Sequence, residues 1–271
     1  MLVIRIWKLQ PGSYFCLSTK GKKGWRDHFL TPEDFEDIEQ FIADHKAEDL
    51  YWCPHSFLRQ SRRSEYYARP SKLLWADLDA VHPDTTDPPP TCAWETSPKR
   101  YAALWRLDRE PTEGLRRSFN QAIGADGNGW CLTKVLRVPG TRNYKYPNAP
   151  RGRVLWAHGP TYDLDAIERK YPPEPTLIRP HPHIPSQSAR AILKKYGIGG
   201  WLRDQLLHGG QFATERRHRM HFKLACELHE KGVGREEAFV CLSDTAWNKH
   251  AVENKDDPDK WVWALVDKVW K

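Results

Sequence analysis

KLLWADLDAV, residues 72–81, has the composition of a buried strand, yet it carries two acids, Asp77 and Asp79, one residue apart. On a strand, side chains at i and i+2 point to the same face. Asp77 and Asp79 therefore point together, with Ala76 and Leu78 on the other side. Two carboxylates at this spacing repel unless a proton or a cation intervenes. Magnesium or manganese, which prefer hard oxygen ligands, can supply that cation. The plainer alternative is a strand edge where both acids face water or pair with arginine, and for a bare D-x-D it is the commoner one. The flanking LLW and the basic segments on either side favour the metal.

Around this strand the chain reads as alternating β and α. YFCLST (14–19) is a strand, and TPEDFEDIEQFIADH (31–45) carries a helix signature. Thr31 can cap it, Pro32 suits its first turn, and Phe35, Ile38, Phe41 and Ile42 recur at helical spacing. DLYWCPHSF (49–57) is a strand, 59–71 a basic loop, 73–81 the acidic strand, 83–90 a Pro-rich turn and KRYAALWRL (99–107) the next strand. A helix is expected over 111–125 with Thr112 as its cap, a strand over 153–159 and a short helix over 163–171. The prolines of PPEPTLIRPHPHIP (172–185) restrict the chain to extended conformations and make this the linker. Helical patterns follow at 189–207, 214–231, 235–249 and 258–270. The organisation expected is a core over 1–172, a Pro-rich linker over 173–187 and a helical domain over 188–271.

The 271 residues suffice for one large or two smaller domains, and 39% hydrophobic content with 13 tryptophans argues against disorder. No apolar run approaches the roughly 18–20 residues of a membrane helix. The opening MLVIRIWKLQ lacks a basic leader followed by an apolar block, so no signal peptide is expected. Six scattered cysteines without a CxxC fit neither a zinc site nor a disulfide framework, and suit a reducing cytoplasm. A formal charge of +7 is compatible with a polyanionic partner.

Two further segments carry chemistry. GWCLTKVLRVPGTRNYKYP (129–147) gathers Lys134, Arg137, Arg142 and Lys145 near a PGT turn, with Asn143 able to hydrogen-bond. Cations and backbone amides at a rigid turn suit a triphosphate or a nucleic-acid backbone, although a solvated basic loop has the same composition. ETSPKRYAALWRL (95–107) puts Ser97 and Arg100 at the mouth of a strand expected beside the acidic one.

In this order and spacing the three segments resemble the archaeo-eukaryotic primase superfamily, in its RepB-like and primase-polymerase branches of phages and plasmids. WADLDAV looks like the hDhD strand whose two acids hold metal. SPKRYAALW (97–105) looks like the second motif on the neighbouring strand, and LRVPGTRNYK (136–145) like an L-R-x-P-G-T-x-N-x-K run. CPHSF followed by Arg62 and Arg63 resembles the family's approach to the acidic strand. The likeness spans roughly 14–172. It departs at two places. Ala102 or Ala103 stands where a histidine is expected, leaving a phosphate contact missing or supplied by Arg100. Cys131 stands where a third acid is expected, and thiolate is a poor match for magnesium. Asp126 in GADGNG is a substitute, or equally an ordinary turn residue, since D-G is a common turn dipeptide.

The resemblance implies an α/β core with an RRM-like mixed sheet and a small all-helical C-terminal domain. It implies metal-dependent nucleotidyl transfer with Mg2+ or Mn2+: a DNA primase-polymerase that makes or extends primers for a mobile element. Asp77, Asp79 and Cys131 take the catalytic positions, with Asp126 as a metal ligand beside Asp77 and Asp79. Ser97, Arg100, Arg137, Asn143, Lys145, Arg62 and Arg63 become nucleotide or DNA contacts. The partners implied are a single-stranded DNA template, nucleoside triphosphates and a replicative helicase. In the helical tail, Arg216, Arg217, Arg219 and Lys223 form a basic run suited to template, or simply a solvated face. Two other readings compete: a primase-like initiator with a decayed metal site that only binds DNA, and a metal nuclease or glycosyltransferase using D-x-D. The basic PGT segment and the lack of other acid clusters argue against the last.

Overall fold

Residues 72–81 form a strand shorter than their composition suggests. In the computed structural model β5 runs over Leu73–Leu78 and stops one residue before Asp79. Its partner decides this: Leu78 pairs with Tyr101, and the partner strand then turns back at Lys99, whose φ is +63°. Arg100, next in register, is the last strand residue before that turn and meets Asp79 through its side chain. The structure describes all residues except 9, 11–13, 23, 61–62, 65–66, 128, 176–183, 186, 210–213, 244 and 246–257, and the side chains of 214–216. Two compact units divide the chain, Met1–Arg179 and Pro180–Lys271.

The first unit is mixed α/β, with two largely antiparallel sheets. One has the order β2 (Gly24–Leu30), β1 (Tyr14–Gly21), β3 (Asp49–Phe57) and β4 (Ala68–Arg69), with β8 (Leu136–Arg137) also pairing β3. The other has β7 (Arg100–Leu107) bonded to β5 on one side and to β6 (Cys92–Ser97) on the other; β9 (Arg153–Trp156) follows β6, and β10 (Thr161–Tyr162) runs parallel to the end of β7. The helices are α1 (Leu2–Trp7), α2 (Ile38–Asp44), α3 (Glu113–Ala122) and α4 (Leu164–Lys170).

Strand β5 is apolar throughout because both of its faces are buried. Leu73 and Trp75 join a core with Val3, Trp7, Trp52 and Trp94, while Leu74, Ala76 and Leu78 pack with Leu115, Phe119 and Ile167. Two-residue periodicity puts Asp77 on the Leu73–Trp75 side, at the point where that core gives out. The sheets are stitched together there: Trp94 Nε1 donates to the Arg137 carbonyl at 3.0 Å.

Strand β3 covers 49–57 as its pattern predicts. The helix read at 31–45 instead opens as a 3-10 turn over Pro32–Glu36, because Asp34 takes the Thr31 amide at 2.6 Å and tightens the entry; α2 begins only at Ile38. Helix α3 starts on its expected cap, with Leu115 N donating to Thr112 Oγ1. Strands β2, β4, β6 and β10 and helix α1 lie outside the segments that the sequence pattern predicts.

Among the described residues the second unit is built of helices: α5 (Ala189–Lys195), α6 (Gly200–His208), α7 (Thr214–Glu230), α8 (Arg235–Ser243) and α9 (Pro258–Val269). The single helix read over 189–207 is broken, since Gly197 and Gly200 take φ values of +63° and +57° that end one helix and reset the next. Much of the linker, and the stretch 246–249 of the helix read to 249, lie outside the described residues. Among the described residues no helix is long and apolar enough to cross a membrane.

Candidate active site

Two carboxylates, Asp77 and Asp126, share Lys134 at the end of β5, and Asp79 follows two residues after Asp77, paired with Arg100. Asp77 is the last residue of the strand on the Leu73–Trp75 face, and the open edge of β5 receives the chain that follows α3. Asn120 fixes that approach, its Nδ2 donating to the Trp75 carbonyl at 3.1 Å and to Arg116 O at 3.0 Å. Gly124 then ends the helix at φ +70°, and the Asp126 amide donates to the Asp77 carbonyl at 3.1 Å. Asp126 thus sits beside Asp77 through its main chain. The turn closes on itself with Gly129 N donating to Asp126 O; a Cβ at Gly129 would lie 2.9 Å from that oxygen, so the turn needs glycine.

Each acid meets a cation. Lys134 Nζ is 2.8 Å from Asp126 Oδ2 and 3.5 Å from Asp77 Oδ2, and Arg100 Nη1 is 2.9 Å from Asp79 Oδ1. Burial raises the pKa of Asp77 above the ordinary carboxylate value; Lys134 opposes this, while Asp79 and Asp126 add to it. Burial pulls the Lys134 ammonium the other way, but its hydrogen bond to Asp126 and the charge of Asp77 hold its pKa above the usual lysine value. Among the described residues no three of His, Cys, Asp and Glu converge as a metal-holding group.

The segment carrying Lys134 is tied to the first sheet. Cys53 Sγ donates to Leu132 O, and Arg63 Nη1 donates to Thr133 O at 2.6 Å. Cys131 lies in that segment with its sulfur 3.6 Å from Thr133 Oγ1. Of the two candidates for a third acid position, it is Asp126 that the fold attaches to Asp77.

The cations around the PGT turn divide into two kinds. Arg137 does not present a free guanidinium to a phosphate. It is 6% exposed; Nη1 binds Asp49 Oδ1 at 2.7 Å and Arg142 O at 3.0 Å, Nη2 binds Tyr51 OH at 2.8 Å and Asn143 Oδ1 at 2.9 Å, and its plane lies over the Tyr51 ring. Asn143, read as a ligand contact, is likewise consumed: it accepts from Arg137 and the Lys145 amide and donates to Thr96 O. Asp49 also takes the Tyr144 amide. This network holds the turn, whose Gly140 has φ +82°. Arg63 is similarly spent on Asp27 and Thr133. Lys145 is exposed and its ammonium has no partner among the described residues. Ser97 ends β6, is buried, and pairs in register with Arg100, which opens β7 and alone of the two reaches Asp79. Arg62 lies outside the described residues.

The residue that sequence reasoning misplaced is Lys134. Its composition groups it with the PGT cations, whereas folding puts it between Asp77 and Asp126. An i+8 separation from Asp126 across a Gly-containing turn was the available signal. Asp49, the acid that occupies Arg137, is 88 residues away in the chain and carried no signal at all.

No protein-family model matches the chain, and no curated protein matches it. Among solved structures it is similar to the AEP domain of the cyanophage S-2L primase-polymerase, with 12% identity over 59% of this chain and 90% of that one and a TM-score of 0.45. It is also similar to the catalytic domain of primase RepB′ in complex with initiator DNA, with 19% identity, 63% and 91% coverage and a TM-score of 0.48. A longer structure of primase RepB′ matches with 16% identity over 99% of this chain and 93% of that one, at a TM-score of 0.44.

Proposed function

We propose that the chain is a primase-polymerase of the archaeo-eukaryotic primase superfamily, joining nucleotides on a single-stranded DNA template in the replication of a phage or plasmid. The observation that carries this reading is the sharing of Lys134 by Asp77 and Asp126 at the end of β5, with Asp79 two residues on and paired to Arg100. Oxygen-only donors fit magnesium or manganese, and Asp77 and Asp79, with Asp126 as the third carboxylate, would hold it. When bound, such ions activate an attacking hydroxyl and neutralise the leaving pyrophosphate. Lys134 balances Asp77 and Asp126 and would yield one of them to the metal. Arg100 and Ser97, at the turn beside Asp79, would orient the triphosphate of the incoming nucleotide. Arg137 would act on this site only through the turn that it holds, while the exposed Lys145 would meet a phosphate directly.

Template-dependent nucleotide incorporation in magnesium and in manganese tests the reading. A second reading, an initiator that binds DNA without catalysis, draws on the fact that Arg100 and Lys134 already neutralise the acids. Single-stranded DNA binding with no incorporation in either metal would establish it and sink the first.

The third carboxylate can be tested separately. Asp126→Asn is expected to lower incorporation by about 100-fold, roughly 2.7 kcal/mol of barrier, and Cys131→Asp to change it little. A Cys131→Asp protein that gains activity several-fold, beside an unaffected Asp126→Asn protein, would instead assign the third position to residue 131.

For the template, the reading draws on the second unit as well. Trp201 and Phe222 are exposed, and lysines lie over both rings: Lys223 Nζ is 4.6 Å from the Trp201 ring and Lys268 Nζ is 5.3 Å from that of Phe222. Exposed rings beside cations suit stacked bases and their phosphates. Trp201→Ala should weaken single-stranded DNA binding about 5- to 100-fold with no change in its salt dependence. Lys145→Ala should flatten the salt slope by about 0.7. Titrations at several salt concentrations check both, and unchanged affinity in both variants would remove these contacts from the proposal.

A further inference from the structure

A second basic site lies at the other end of the β5–β7 pair. Asp77 is opposite Ala102, whereas Leu73, four residues earlier, is opposite Arg106. At about 3.4 Å per residue this puts Arg106 roughly 14 Å along the strands from Asp77. There a cavity of about 490 Å3 opens between α1, the start of β5, the end of β7 and the segment after β9. Arg5, Lys8, Arg106 and His158 line it, Leu73 and Leu104 supply apolar wall, and no Asp or Glu is among its lining residues. Among the described residues none of Arg5, Lys8 and Arg106 pairs with a carboxylate.

The wall that carries His158 is fixed. Gly159 N donates to Thr91 O at 2.8 Å, and Thr91 Oγ1 donates to Pro160 O at 2.6 Å. A Cβ at Gly159 would lie 2.7 Å from Thr91 Cα, so the close approach demands glycine. Thr91 Oγ1 also accepts from the Arg106 amide, and Arg106 Nε donates to Thr161 Oγ1 at 2.5 Å. That bond uses one donor and sets the guanidinium plane, leaving both Nη groups without a partner among the described residues. Three uncompensated cations, two from α1 and its C-cap and one from β7, make the cavity positive, which favours an anion. Guanidinium groups suit phosphate in particular, through paired N–H donors. The volume lies within the range of small-molecule sites, and the leucine wall offers apolar surface that a bare phosphate would not use.

We propose that this cavity binds a nucleoside phosphate, with Arg5, Lys8 and Arg106 taking the phosphates and the base resting on the Leu73–Leu104 wall. The site is independent of Asp77 and Asp79 and stands whether or not the acids catalyse anything. ATP binding to the full chain in EDTA, read by calorimetry, isolates it, because triphosphate capture that depends on a divalent ion is removed. ATP should bind the wild type and the Asp77→Asn/Asp79→Asn protein equally, and Arg5→Met/Arg106→Met at least tenfold more weakly. Lys8→Ala, an exposed position, should weaken ATP binding several-fold without touching the fold. No binding by the wild type, loss of binding in the acid double variant, or full binding by both cation variants would overturn the proposal. Competition identifies the ligand. Pyrophosphate should displace ATP at least tenfold less well than ADP does; equal displacement would show that the apolar wall takes no base. Displacement by a (dT)12 oligonucleotide at lower concentration than ADP would assign the cavity to strand phosphates and reject the free nucleotide.

Discussion

Arg137→Ala is expected to destabilise the protein by about 3–5 kcal/mol, the cost of removing one partner from a buried ion pair. The physical reason is what remains. Asp49 is 8% exposed and would keep only the Tyr144 amide; Tyr51 OH and Asn143 Oδ1 would lose their donor, and the Arg142 carbonyl would lose a bond. Arg137→Lys rescues little, because one ammonium cannot reproduce a planar fork that contacts four residues. For a chain of this size the loss corresponds to a fall in Tm on the order of 10 °C. Thermal melts of Arg137→Ala beside Lys145→Ala check it, with the lysine variant melting like the wild type. An Arg137→Ala protein that melts normally but loses nucleotide binding would restore the phosphate-contact role that its sequence position suggests.

Asp77→Asn/Asp79→Asn is expected to reduce nucleotide incorporation by at least about 1,000-fold, equivalent to roughly 4 kcal/mol of barrier. Asparagine keeps the shape and one carbonyl oxygen but removes the two negative charges that a divalent ion requires. The fold should tolerate the change. Asp79 is largely exposed, and burial already raises the Asp77 pKa, so making position 77 permanently neutral removes a charge that the buried site disfavours. Lys134 keeps Asp126 as its partner. The variant should therefore melt close to the wild type and bind single-stranded DNA normally while losing manganese binding by calorimetry. Equal manganese affinity in the two proteins would be fatal to the assignment of these acids as metal ligands.

The parts of the fold legible in the sequence were those with strong local signals. Strand β3 has an aromatic-rich composition despite Pro54, α3 has a cap and an apolar stripe, and β5 is apolar because it is buried on both faces. Strand β2 was missed because GWRDHFL is mostly exposed and polar, and β6 because TCAWETS follows a proline run that reads as a turn. Helix α1 has only six residues and no side-chain cap. The candidate site was legible where spacing alone fixes direction, as with Asp77 and Asp79. It was not legible where a cation's role depends on distant residues. Arg137 and Lys145 stand eight positions apart in one motif, yet one is buried against Asp49 and the other is exposed. Nothing in the motif distinguishes them, because the discriminating groups are on β3.

The bond from the Asp126 amide to the Asp77 carbonyl separates the position of residue 126 from its chemistry. It joins two main-chain groups, so any residue except proline, which has no amide donor, can keep it. The carboxylate at 126 can therefore be removed or exchanged by substitution while the backbone corner beside the acidic strand stays as it is.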